Sequence, residues 1–478
     1  MKFTKINFEY TDAQEERVHA PELIDSAYVD INNITKEIFK PNKYLVYGPK
    51  GSGKSALASK LKSMSEREWD FFCDIDDLEE FEFNLLRKTG GVTSEKIGGS
   101  VTVWKLLLYI RVFSLYKQDQ LLTDSGSTAT ALFDDLKTYG FMASKSIIQV
   151  VQETSRKGLY SKFSNSIASI QGKIERNRES KVKDPAELVE TIELALSELP
   201  NFPSKHYLVL DGLDYLLRNG KTNASYLADL VAAVRQVNNK FSELGNSSKV
   251  IVLFRDEVLE LVPDPNLTKR KNDNGISLDW YDKEGKPFES YLLKVIENRA
   301  HLAGYSKSIR ELWKEWFPAE LARKDSVTFI LDSTRYLPRD MISMFRCLQS
   351  LGKEPPFSEQ DIFSAINSYS EWFVSELSDG LVGLVDEEIR SSVEGILSEV
   401  GPRFSTKEFK IALDEHDLDD SHAEKVLHAL FSTSWIGNVW TKYERPRYAW
   451  KHRRKKAVFS PMKTSVVHNG LLKALSLR

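Results

Sequence analysis

Residues 48–55 read Gly48-Pro49-Lys50-Gly51-Ser52-Gly53-Lys54-Ser55, a complete G-x-x-x-x-G-K-[ST] loop. No other feature of the chain limits its fold so severely. Such a loop needs a buried strand before it and a helix after it, so that backbone N–H groups gather at a helix N-terminus and face an anion. Both flanks are present. Tyr44-Leu45-Val46-Tyr47 is a short apolar run, and Ser55-Ala56-Leu57-Ala58-Ser59-Lys60-Leu61 is rich in helix formers. The pattern predicts that residues Gly48 to Ala56 bind a polyphosphate, with Lys54 reaching the β- and γ-phosphates and the Ser55 hydroxyl on Mg²⁺.

A phosphate loop of this kind belongs to a parallel sheet, and the chain supplies one. Trp69 to Ile75 and His206 to Asp211 read as further strands, and Lys249 to Arg255 as another. Helical patterns separate them, among them Ser225 to Leu244 and a segment opened by Asp184 and Pro185. Alternating strands and helices imply an α/β fold with a parallel sheet covered on both faces. Residues 78–200 are too long for one connection. The apolar run at Leu106 to Ile110 and the periodic segments at 129–136 and 164–181 mark this stretch as a helical insertion.

At 478 residues the chain exceeds one ordinary core, and three parts are expected: a P-loop core at 1–261, a helical lid at 262–380 and a winged-helix-like domain at 381–478. Residues 262–286 carry Pro263, Pro265, Asn272, Asn274 and Gly285 and read as a loop or hinge. Beyond residue 381, Ser405/Glu408 and Ser421/Glu424 are spaced as capping boxes, and two strands follow at Trp435 to Thr441 and Arg447 to His452.

Asp211 ends a strand of apolar residues, where a carboxylate can hold the Mg²⁺ shell or simply cap the strand end. Asp214 lies three residues on and is a candidate catalytic base at longer reach, because Gly212 stands where many fast ATPases place a glutamate. Slow hydrolysis follows. Arg255 ends its strand as a cation that could face a γ-phosphate or pair with Asp256 or Glu257. Arg339, next to Pro338 at a helix start, opposes the local dipole, so its head is aimed at an anion: a phosphate or a neighbouring carboxylate. No [NT]-K-x-D segment follows the loop in the expected region, which favours ATP over GTP.

Composition removes several other classes. A hydrophobic content of 41% with 28% charged residues describes a globular chain, and no apolar stretch approaches the roughly 18 residues of a membrane span. The formal net charge of −3 argues against whole-molecule nucleic-acid binding. Only Cys73 and Cys347 occur, outside any CxxC pair, which fits a reducing, cytoplasmic setting. The C-terminal end differs from the rest. Arg445, Arg447, Lys451, Arg453, Arg454, Lys455 and Lys456 alternate with Tyr443, Tyr448, Trp450 and Phe459, so DNA is a candidate ligand there, held through its phosphates. The helix expected at His422 to Ser432 has no arginine and is a poor reader of guanine edges. Packing or partner binding is the other use of this domain.

Together, Gly48–Ser55, Leu210-Asp211-Gly212-Leu213-Asp214, the Arg255 strand end and Leu337-Pro338-Arg339-Asp340 resemble the AAA+-related STAND and origin-recognition type of P-loop ATPases. The spread of features is closer to the Sll-type P-loop ATPases, a bacterial family named after a cyanobacterial open reading frame. That likeness adds Ser277-Leu278-Asp279-Trp280, a lid helix ending in Arg299, and Tyr369-Ser370-x-Trp372. The resemblance implies ATP and Mg²⁺ held by Lys54, Ser55 and Asp211, with Arg255 as strand-end sensor and Arg339 as lid sensor. It also implies an ATP-driven switch in prokaryotic conflict or antiphage defence, acting with a separate effector. Assembly into a homo-oligomer is implied too, with Arg218, Arg235 and Arg299 as candidates to complete a neighbour's site. Tyr215 departs from the pattern, which often has a second acid there. The alternative is a DNA-loading, replication-type ATPase that uses the winged helix.

Overall fold

The computed structural model describes residues 2–78, 99–123, 185–199, 201–213, 224–281 and 286–477. The periodic segments at 129–136 and 164–181, together with Asp184, Asp214, Tyr215 and Arg218, lie outside the described residues. The chain divides into two compact units: residues 33–47 with 57–277, and residues 1–32 with 48–56 and 278–478.

The first unit is built on a five-stranded sheet of order β2-β3-β4-β1-β5. Its strands are β1 (Leu45–Gly48), β2 (Phe71–Asp77), β3 (Lys205–Asp211), β4 (Lys249–Arg255) and β5 (Gly275–Ser277). β2 runs parallel to β3, β3 to β4, and β1 to β5. Tyr44 O accepts from Val252 N, which ties the start of β1 to β4. Tyr207 to Leu210 of β3 and Val250 to Phe254 of β4 are uninterrupted apolar runs, buried on both faces because these strands are central. The helices are Gly99–Tyr116, Pro185–Ser197 and Ala224–Glu243, with the greater part of Lys54–Ser65. Trp104, Tyr109, Phe113, Leu208, Val250 and Phe254 lie in its main core. Where the insertion at 78–200 is described, it is helical.

Several buried polar groups inside this unit are paired. Arg111 donates to Asp76 and Asp74 at 2.8 Å, and Asn238 both donates to Val250 O and accepts from Val250 N at 2.8 Å. Lys249 donates to Ile38 O at 2.5 Å and Lys40 O at 2.7 Å, capping the end of a short helix, and lies 4.7 Å from the Tyr207 ring centroid.

Residues 262–286 are not simply a loop. They contain a helix, Leu267–Asn274, and the edge strand β5. The helix buries no residue, so it has no apolar periodicity to announce it. β5 spans three residues, too few for an alternation to register.

In the second unit, helices Tyr291–Leu302, Ile309–Trp316, Ser326–Asp332, Pro338–Ser350 and Glu359–Gly380 surround an aromatic cluster, with a small ladder of β6 (Glu320–Leu321) and β7 (Lys324–Asp325). The N-terminal segment is strapped onto it. Phe3 packs edge-on against Trp316 and Phe357, and Gln349 donates to Phe3 O and Ile6 O. Arg299 is buried, pairs with Glu16 and donates to Asn7 O at 2.8 Å.

Helices Glu387–Val400, Thr406–Glu415 and Ala423–Ser432 accompany an antiparallel sheet of order β10-β9-β11-β8. Its strands are β8 (Arg403–Phe404), β9 (Ile436–Lys442), β10 (Arg445–Ala449) and β11 (Thr464–Val467). The Ser405/Glu408 capping box forms. The one expected at Ser421/Glu424 does not: Asp419 caps a 3₁₀ turn at Asp420–His422, and the helix starts after it. The β9–β10 hairpin turns through Tyr443 and Glu444, both at positive φ, as a two-residue hairpin loop of type I′ requires. Among the described residues no helix is long and apolar enough to cross a membrane.

Candidate phosphate site

The predicted loop begins where β1 ends, and its helix starts at Lys54. Gly51 and Gly53 adopt φ of +85° and +88°, a left-handed backbone that only glycine takes without strain. Lys54 is buried and its Nζ donates to Gly48 O at 3.1 Å and Pro49 O at 3.0 Å. The ammonium is therefore drawn across the loop by the loop's own carbonyls. Ser52 Oγ is buried without a hydrogen-bond partner among the described residues, while Ser52 O accepts from Trp280 Nε1 at 2.8 Å. The Trp280 indole is a strut that fixes the loop's mid-section.

Helix Pro338–Ser350 bears on the same loop. A Cβ on Gly51 would meet Arg339 Cβ at 3.1 Å, so the arginine stem lies over that glycine. Arg339 Nε donates to Thr11 O at 3.2 Å, and its guanidinium lies 3.3 Å from Glu376 and 3.8 Å from Asp12. Lys50, inside the loop, reaches Glu376 at 3.0 Å and Asp379 at 3.1 Å. Asp340 holds the helix start in place by accepting from Arg335 N, Nε and Nη2 at 2.9, 3.0 and 2.7 Å. Burial alone would raise the Glu376 carboxyl, but Arg335, Arg339 and Lys50 outweigh it and hold it below the usual range.

In the sheet-bearing unit, Asp211 closes β3 and Arg255 closes β4. Since β4 lies between β3 and β1, those two strands run two strand spacings apart, roughly 10 Å. Asp211 Oδ1 accepts from Gly212 N at 2.9 Å, and Gly212 turns the chain at φ +74°. Asp77 sits directly beside Asp211 in the β2–β3 register, and Leu78 N donates to Asp211 O at 3.0 Å. The sequence reading ended β2 two residues early and so missed Asp77.

The residues at the loop fit a polyphosphate. The fit rests on two positive-φ glycines, an ammonium held over the loop, a buried hydroxyl with no partner among the described residues, and donors of the kind such a ligand takes. Arg299, by contrast, is committed to Glu16 within its own chain.

Residues 290–378 match the family model of a FunZ-associated C-terminal helical domain. No curated protein gives a significant match. Among solved structures, the Orc1 protein of Aeropyrum pernix in complex with DNA is similar at 12% identity and a TM-score of 0.37, covering 99% of this chain and 96% of that one. Cdc6p from Pyrobaculum aerophilum is similar at 13% identity and a TM-score of 0.32, covering 99% and 97%. With TM-scores below 0.5, neither likeness bears on this chain's site.

Proposed function

We propose that this chain is an AAA+-type P-loop ATPase that binds ATP with Mg²⁺ through Gly48–Ala56 and hydrolyses it slowly. The observation that carries the reading is the complete phosphate loop, with Gly51 and Gly53 in left-handed conformation and Lys54 Nζ held on Gly48 O and Pro49 O. In this reading Lys54 neutralises the β- and γ-phosphates, while Ser55 and Asp211 hold the metal. Bound Mg²⁺ would supply charge neutralisation at the phosphate oxygens. Arg255 and Arg339 sense the terminal phosphate, and Asp214 activates water. The expected division into core, lid and winged helix at 1–261, 262–380 and 381–478 gives the switch its moving parts.

The state of the nucleotide would then pass to a separate effector or to a neighbouring copy, the setting being prokaryotic defence. Because Arg299 is tied to Glu16, Arg235, which is exposed, is the better described candidate for completing a neighbour's site. A second reading, a DNA-loading ATPase, is favoured by one observation: Lys442, Tyr443, Arg445, Arg447 and Tyr448 are all exposed on the β9–β10 hairpin. ATPase stimulation by duplex DNA would select the second reading, and stimulation by a protein partner alone the first. The test of the shared core is phosphate release by the wild type against Lys54→Ala and Asp211→Asn. Equal rates in all three would defeat it.

A further inference from the structure

Beside the glycine loop, two cations share one buried carboxylate. Lys50 Nζ lies 3.0 Å from Glu376 Oε2 and 3.1 Å from Asp379 Oδ2. Arg339 Nη1 lies 3.3 Å from Glu376 Oε1, with Thr11 O and Asp12 as its other partners. Arg335 comes within 3.7 Å of the same Glu376 oxygen, but its main partner is Asp340. The Glu376 side chain is only 8% exposed, on the face of helix Glu359–Gly380 that also buries Phe373 and Leu377.

A carboxylate placed there is costly unless cations answer it, and an apolar residue would serve packing alone better. The cations that answer it are not incidental. Lys50 is part of the loop, and the stem of Arg339 lies over Gly51. Cations beside an anion-binding loop attract a ligand only as far as they are not already neutralised. Glu376 offsets part of the charge of both, with Asp379 beside Lys50 and Asp12 beside Arg339. Its hold on the two is unequal. Lys50 has Asp379 as a second carboxylate at close range, whereas the Arg339 contact to Glu376 is longer and its side chain is 24% exposed.

We propose that Glu376 is an internal counter-anion of the phosphate site: it holds Arg339 at Gly51 in the resting chain, and a triphosphate binds by taking Arg339 from it. This rests on the phosphate-site reading above and assigns it a positioning residue. Glu376 contacts no substrate in this account; it acts through Arg339.

The test uses the full chain, titrated with Mg-ATP and with Mg-ADP by calorimetry. Glu376→Gln keeps the shape and removes the charge, and is expected to bind ATP about 10-fold tighter, within the range usual for coupled sites. The gain for ADP should be smaller, because Arg339 answers the terminal phosphate. In an Arg339→Ala background the Glu376→Gln gain should fall below about 2-fold. Wild type that binds ATP, with Glu376→Gln binding equally or more weakly, overturns the proposal and leaves Glu376 a scaffold residue. Should Glu376→Gln melt early, Glu376→Asp withdraws the charge by one methylene; an intermediate gain is expected, and no gain overturns the proposal. Absence of ATP binding by wild type would sink the phosphate-site reading itself, a separate outcome that removes this proposal with it.

Discussion

Asp340→Asn removes the charge that anchors the start of helix Pro338–Ser350 while keeping the side chain's shape. Asp340 is 0% exposed and Arg335 is 5% exposed, so neither group has water to fall back on. The carboxylate accepts three hydrogen bonds from Arg335, one from the backbone and two from the guanidinium. What remains for Arg335 is Glu376 at 3.7 Å and the Phe373 ring, 5.3 Å away. Burial opposes the charged guanidinium, and Asp340 and Glu376 more than offset it; a guanidinium is basic enough to stay charged when Asp340 is lost. An uncompensated buried charge costs about 3–5 kcal/mol. For a unit of this size that is a fall in Tm of about 6–20 °C. Differential scanning calorimetry and urea unfolding read this directly. The loss should also weaken ATP binding, because Asp340 fixes the turn that lays Arg339 over Gly51. A double change, Arg335→Met with Asp340→Leu, should recover most of the stability but not the affinity. A loss under about 1 kcal/mol in Asp340→Asn would refute the reasoning, since surface pairs behave that way and buried ones do not.

Burial lowers the Lys249 ammonium to about 7, below its value in the unfolded chain. Between about 7 and 10 the unfolded chain therefore binds more protons, and stability should rise with pH across that window by roughly 2–5 kcal/mol. The urea midpoint measured from pH 7 to 10 should show this slope in wild type and lose it in Lys249→Met; a wild-type midpoint flat in pH contradicts it. At the other end of the chain, Arg445→Glu with Arg447→Glu should abolish low-salt DNA retention in a mobility-shift assay if the exposed hairpin follows phosphates. These positions are better probes than Lys455, whose Nζ donates to Leu278 O and whose loss would disturb the fold. Unchanged retention removes the hairpin as a DNA contact.

Much of the sheet was legible because its central strands are apolar on both faces. Lys249 to Arg255 was read with the bounds it has, and the β3 strand to within one residue. β5 was not legible: three residues behind a surface helix that is polar after Leu267 leave no periodic trace. The Ser421/Glu424 pattern misled because Asp419 offered a competing cap two residues earlier. Within the site, the loop announces itself because its neighbours in space are its neighbours in sequence. Arg339 was legible as a cation in want of an anion, with a carboxylate as one candidate partner; Glu376 as that carboxylate was not. In the sequence Glu376 is one acid in a long helix, and its meaning comes from Lys50, Arg335 and Arg339, which only tertiary structure brings to it. Asp77 was hidden for a milder reason, a strand end misplaced by two residues.

The most direct test of the account is equilibrium binding of Mg-ATP by the intact chain, wild type against Lys54→Ala, with phosphate release followed in the same samples. Saturable binding and slow release by wild type, both lost or cut at least about 10-fold when the ammonium is removed, is the predicted result. Equal binding by the two chains, or none by wild type, would contradict it.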